Sequence, residues 1–192
     1  MATQPARIIK IAALLLALLA TWFIFDQMPR WRLYWAFVQL EIATTDNERL
    51  SALKVAARQS LAIGKNDQAR RYATEVLALL PKANRNWDYG NAVHVANLVL
   101  GRISLAEGRV ADAKFYLLEA GKTPGSPQLR GFGCNMRLAT ELLEIGEREV
   151  VLQYLENCRR IWVYGDETHD RWEQEIRSGR VPDFGANLIY DF

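Results

Sequence analysis

Of the side chains here that could carry chemistry, His94, His169, Cys134 and Cys158 come first, because imidazoles and thiols serve as bases, nucleophiles and metal ligands. His94 reads as the start of a helix in an Ala/Val/Leu context, where a histidine more often packs or caps than catalyses. His169 lies in Asp166-Glu-Thr-His-Asp-Arg171, which reads as a solvated helix start whose acids suit the helix dipole. Neither histidine has a nucleophile beside it in sequence. The cysteines have no second His/Cys pair near them, whereas a zinc site needs four closely spaced ligands. A buried thiol pair is expected; the alternative, a disulfide, requires an oxidising compartment. No phosphate-binding loop, nucleophile elbow or metalloprotease helix occurs. The expectation is a protein without catalytic residues, cofactor or metal.

Charge narrows the partners. With 24 basic and 22 acidic residues the net charge is +2, while nucleic-acid binders concentrate a basic excess. Nucleic acid is therefore not an expected partner. The 192 residues, half of them hydrophobic, suffice for one ordinary domain plus an appendage.

The appendage is amino-terminal. From Ile8 to Phe25 only Lys10 and Thr21 interrupt an apolar series. As a helix it would extend about 27 Å at ~1.5 Å per residue, close to a hydrocarbon core of ~30 Å. Lys10 lies where its stem can rest in lipid and its ammonium can reach headgroups. The run ends on Trp22, Phe23, Ile24 and Phe25, bulky where signal cleavage wants small residues. Ile8, Lys10, Trp22 and Phe25 thus mark a retained, single-pass anchor; a cleaved signal releasing a secreted or periplasmic adaptor is the alternative. Arg7 and Lys10 precede the span and Arg30 and Arg32 follow it, nearly a tie. A cytoplasmic amino terminus with the bulk exported across a bacterial inner membrane is the orientation expected. Beyond Met28-Pro29, Trp31, Tyr34, Trp35, Val38 and Ile42 share one helical face. That face is expected to pack under the domain that follows, with the membrane interface as a second role for its tryptophans.

From Asp46 the chain repeats itself. A small residue precedes a turn glycine at 57 and 64, at 101 and 108, and at 139 and 146. Core positions follow at 69, 73 and 76, at 113, 117 and 120, and at 151, 155 and 158. Small residues let two helices approach, glycine reverses the chain, and the +4 and +7 positions form a buried seam. One such pair cannot bury its face alone, so the pairs must stack.

On these offsets the chain resembles the tetratricopeptide family from about Leu50 to Cys158, best at Leu100-Gly-Arg-Ile-Ser-Leu-Ala-Glu-Gly-Arg-Val-Ala-Asp-Ala113. It departs where the first two units lie 44 residues apart (57 to 101) against ~34 in the family, so residues 82–91 read as an insertion. The third unit departs again, with Val151 in place of alanine and no proline after Cys158. Thr123-Pro-Gly-Ser-Pro-Gln-Leu129 and Pro182-Asp-Phe-Gly-Ala-Asn-Leu188 resemble segments of bacterial proteins of this kind, which brings no activity with it. The resemblance implies an all-α, right-handed solenoid of about three helical hairpins. It also implies protein or peptide binding on a concave face lined by the first helix of each pair. Aligned this way, Lys54, Arg58, Leu98, Arg102, Met136 and Arg137 line that face, with Val95 and Thr140, and its basic members suit an acidic or carboxylate-terminal peptide. Lys54 and Arg137 match basic positions of the family's carboxylate clamp; Arg58, Val99 and Gly133 do not match its asparagines and lysine.

The expected organisation is an anchor over 1–27, an aromatic-rich linker helix over 28–45, helical repeats over 46–160, and a capping helix and tail over 161–192. The tail is expected to fold back over the last open face. The rival to a scaffold is a small-ligand or enzymatic pocket between repeats and tail, which would need a histidine beside a carboxylate.

Overall fold

The computed structural model describes residues 4–27 and 29–189, apart from the side chains at 4–7, 9, 19, 22–27 and 29. Among the described residues the chain is all helical, without a strand. The elements are α1 (Gln4–Gln27), α2 (Pro29–Ile42), α3 (Asp46–Ala62), α4 (Asn66–Leu79), α5 (Tyr89–Ala106), α6 (Val110–Gly121), α7 (Pro127–Phe132), α8 (Arg137–Glu144), α9 (Arg148–Arg159) and α10 (Asp166–Arg177), followed by a 3-10 turn (Gly185–Leu188).

The repeated glycines make the same turn each time. Gly64, Gly108 and Gly146 adopt φ of 76°, 76° and 88°, a left-handed conformation that costs glycine little. Each donates its N–H to a carbonyl three residues back (Leu61, Leu105 and Leu143), and the next residue donates to Ser60, Ser104 and Leu142. This paired closure satisfies carbonyls that a helix end leaves orphaned. Gly179 closes α10 identically, at φ 88°, with bonds to Ile176 and from Arg180 to Glu175. Among the described residues no α-helix follows it; Pro182 and the 3-10 turn do.

Hairpins α3–α4, α5–α6 and α8–α9 stack in order, with α2 against α3 and α10 against α9. Ala57, Ala69, Ala73, Ala113 and Ala120 are fully buried in the seams. At Gly101 an added Cβ would lie 2.4 Å from Leu138 Cδ2, so α5 and α8 touch through a missing side chain. The start of α3 carries a reciprocal cap: Thr45 Oγ1 accepts from Glu48 N at 3.2 Å, and Glu48 Oε2 accepts from Thr45 N at 3.1 Å and Thr44 N at 2.8 Å. The bonds from Thr44 and Thr45 hold the Glu48 carboxyl below its ordinary range.

The tail folds back as a strap. Asn187 Nδ2 donates to the carbonyls of Phe132 and Cys134 at 2.9 and 3.0 Å, and its own carbonyl accepts from Met136 N at 2.9 Å. Trp172 Nε1 donates to Asp183 O, and Phe184 packs on Trp172 with ring centroids 4.9 Å apart.

Two expectations require correction here. The α2 face of Trp31, Tyr34, Trp35 and Ile42 is exposed, and Leu33, Ala36, Phe37 and Leu40 pack inward instead. Both faces of α2 are apolar, and the one with the less bulky side chains packs on the alanine-rich surface of α3. The inserted loop is also shorter than 82–91, since α5 already begins at Tyr89. At the amino terminus a helix does occupy the expected segment. Among the described residues, however, no helix is long and apolar enough to cross a membrane. The side chains of Trp22 and Phe25 lie outside the described residues.

Candidate binding surface

Lys54, Arg58, Leu98, Arg102 and Arg137 lie on α3, α5 and α8, and Met136 immediately precedes α8. Lys54 is buried, its Nζ 2.5 Å from Asp88 Oδ1. Asp88 also accepts from Ser51 Oγ at 2.7 Å and Asn91 Nδ2 at 2.9 Å, and Asn91 Oδ1 accepts from Ser126 Oγ. Burial pulls the Lys54 ammonium below its ordinary pKa; Asp88 opposes this, and the charge of nearby Arg58 adds to it. Arg58 is itself buried. Leu98 and Met136 belong to the core cluster rather than to an open face. Arg102 Nε donates to both carboxylate oxygens of Glu141, at 2.9 and 3.1 Å, and Arg137 approaches the same carboxylate at 3.9 Å. The acidic counter-charges expected from a partner are thus supplied, for Lys54 and Arg102, by the chain itself. Arg102 and Glu141 border a cleft of about 350 Å³ between the ends of α3 and α5.

A different opening was not legible in the sequence. A cleft of about 400 Å³ lies where α2 ends, α3 begins and the inserted loop passes, lined in part by Gln39, Ile42, Asn47, Ser51, Asn86 and Trp87. Ile42 and Trp87 are 68% and 62% exposed. A tryptophan set among Asn84, Arg85, Asn86 and Asp88, inside the loop that breaks the regular spacing of the repeats, was the available signal.

The candidate chemical groups are enclosed. Asn135 N donates to His94 Nε2 at 3.2 Å, so Nδ1 carries the hydrogen and donates to Ala120 O at 3.1 Å. The ring stacks on Tyr154 and is buried, which lowers its pKa to about 4. His94 lies in the second turn of α5, not at a helix start. His169 is the larger correction: it is fully buried, with Trp162 and Trp172 ring centroids at 5.3 and 5.9 Å, and neither ring nitrogen has a hydrogen-bond partner. Desolvation, and secondarily the charge of Arg159, lower its pKa to about 4. Its sequence neighbours face water, but its own side chain lies on the buried face with Trp172 and Ile176. Cys134 and Cys158 are free and buried, and burial holds the Cys158 thiol well above its ordinary range. Among the described residues no group of acidic, His or Cys side chains could hold a metal ion.

The described elements define an all-helical protein of stacked hairpins. Comparison with protein families, curated proteins and solved structures finds no match for this chain.

Proposed function

We propose that the protein is a membrane-anchored scaffold whose tetratricopeptide-like, right-handed helical stack holds a protein or peptide partner and performs no catalysis. The observation carrying this reading is the cleft of about 400 Å³ flanked by exposed Ile42 and Trp87. Large exposed apolar side chains at the rim of an opening suit an anchoring residue of a partner. The end of α2, the start of α3 and the loop before α5 frame that opening. A scaffold role is also favoured by the enclosure of His94 and His169, which leaves neither imidazole facing solvent.

The anchor is supported by α1 itself. Ile8, Ile11, Leu14, Leu15, Leu16 and Leu18 are all exposed and spread around the helix, and a helix apolar on every side needs a non-aqueous surrounding. Ile9, Leu19 and Trp22 to Phe25, whose side chains lie outside the described residues, complete the apolar run in the sequence. An exported repeat domain in a bacterial inner membrane is the arrangement proposed.

A second reading, an acidic or carboxylate-terminated peptide bound at Arg102 and Arg137, requires the ligand to displace or share Glu141. Affinity capture of the full-length chain from solubilised membranes separates the two. Substituting Ile42→Ala with Trp87→Ala should lose the partner, whereas Arg102→Glu with Arg137→Glu should retain it. The opposite pattern supports the acidic-peptide reading, and retention by both variants rejects both surfaces. Alkaline carbonate extraction tests the anchor: the full-length protein should resist it, and removing residues 1–28 should release the chain.

A further inference from the structure

We infer that α2 is a bilayer-interface helix, its aromatic face seated in the headgroup layer of an anionic membrane and its arginines on lipid phosphates. This deepens the membrane reading above and rests on it.

On α2, Trp31, Tyr34 and Trp35 form one exposed cluster: Trp31 stacks on Tyr34 at 5.6 Å, and Trp35 meets both edge-on at 6.1 and 6.3 Å. Three large rings held together on a solvent-facing surface are costly in water. Tryptophan and tyrosine, with apolar bodies and a polar edge, are the residues that settle at the boundary between lipid and water. At about 100° per residue, Arg30 and Arg32 fall on the two flanks of this aromatic stripe. Neither guanidinium has an ion-pair partner among the described residues, whereas Arg49, Arg70, Arg102 and Arg159 each face a carboxylate.

The opposite side of α2, through Leu33, Ala36 and Phe37, is committed to α3, so the cluster cannot turn inward without unpacking the first hairpin. In the chain α2 follows α1, which exposes apolar side chains from Ile8 to Leu18. A bilayer is the one occupant that matches the apolar helix, the amphipathic rings and the paired cations together. Guanidinium groups engage phosphate oxygens in bidentate fashion, and basic residues are drawn to an anionic leaflet. With one side of α2 on lipid and the other on α3, the stack is held at a fixed inclination to the membrane rather than swinging from a tether.

The test uses the full-length chain in phosphatidylcholine vesicles, with or without phosphatidylglycerol, carrying brominated acyl chains with the bromine near the headgroup. Tryptophan quenching by these lipids should be strong in the wild type. The double substitution Trp31→Phe, Trp35→Phe should remove more than half of it, leaving the contribution of Trp22. The pair Arg30→Glu, Arg32→Glu should lower it in vesicles containing phosphatidylglycerol and leave it unchanged in phosphatidylcholine alone. Carbonate extraction is run in parallel. A chain that resists carbonate but whose quenching is unaffected by the tryptophan substitutions overturns the inference while the anchor stands. A chain that carbonate releases, yet whose quenching depends on Trp31 and Trp35, keeps the interfacial helix and removes the anchor. Shielding of these tryptophans from aqueous iodide that rises with protein concentration in detergent would place a second copy on this face and also overturn it.

Discussion

Acidifying the protein from about pH 7 to about pH 5 should weaken it through His94, by an amount the geometry allows to be worked out. The folded state fixes one neutral tautomer: Nε2 accepts from Asn135 N and Nδ1 donates to Ala120 O. A proton added at Nε2 would set one N–H against another inside a buried site. The folded pKa of about 4 lies below the ordinary 6.5, so between those values the unfolded chain binds the proton and the folded chain does not. Stability is therefore complete near neutrality and is lost as pH falls through that window. Over the interval from about pH 7 to about pH 5 the loss is about 2 kcal/mol for this one residue. The interval stays above most carboxylate titrations. Urea unfolding of the full-length chain in mild detergent, followed by far-ultraviolet circular dichroism, measures it. His94→Gln removes the titration, so the difference in unfolding free energy between the two pH values should shrink by about 2 kcal/mol relative to wild type. An equal pH dependence in wild type and variant would falsify the assignment of His94 as a neutral clamp. His169→Phe gives an independent measure, because His169 also titrates near 4 when folded.

Gly90→Ala should cost more stability than Gly101→Ala, because the new methyl at 90 meets the Gly125 carbonyl oxygen at 1.9 Å whereas at 101 it meets the mobile end of Leu138; thermal unfolding ranks them. Asp88→Ala should cost about 3–5 kcal/mol by leaving the Lys54 ammonium buried without its partner, and adding Lys54→Met should recover part of that loss. Ala113→Leu, in a fully buried seam, should overpack by ~1–3 kcal/mol. Arg109→Leu, which removes exposed pairs with Glu107 and Asp112, should change stability by less than about 0.5 kcal/mol. Equal denaturant midpoints for the last two would contradict the assigned helix register.

The hairpins were readable because the glycine offsets are imposed by a turn that needs a left-handed residue at one fixed place, and a local rule leaves a local mark. The cap at Thr45 and Glu48 was equally local, as Thr-x-x-Glu before a helix, and was available to a closer reading. The candidate surface was less legible. Lys54 and Asp88 are 34 residues apart, and nothing in either neighbourhood shows that they meet. His169 sits among acids and reads as solvated, while its burial comes from Trp162 and from its own position above Trp172 on the inner face. The two apolar faces of α2 differ by only about half a helical turn in register, so composition alone did not decide which one α3 would take.

In a stack whose units touch mainly their neighbours, cohesion is nearest-neighbour and the ends fray first. The Asn187 strap breaks that rule at the carboxy-terminal end. By bonding back across 53 and 55 residues to Cys134 and Phe132, it links the tail that follows α10 to the end of α7 and the approach to α8, closing a block around α9. Loosening any one of these helices means releasing the others with it. Hydrogen exchange would accordingly be slowest in this block and progressively faster toward α3, giving the molecule a direction in which it comes apart.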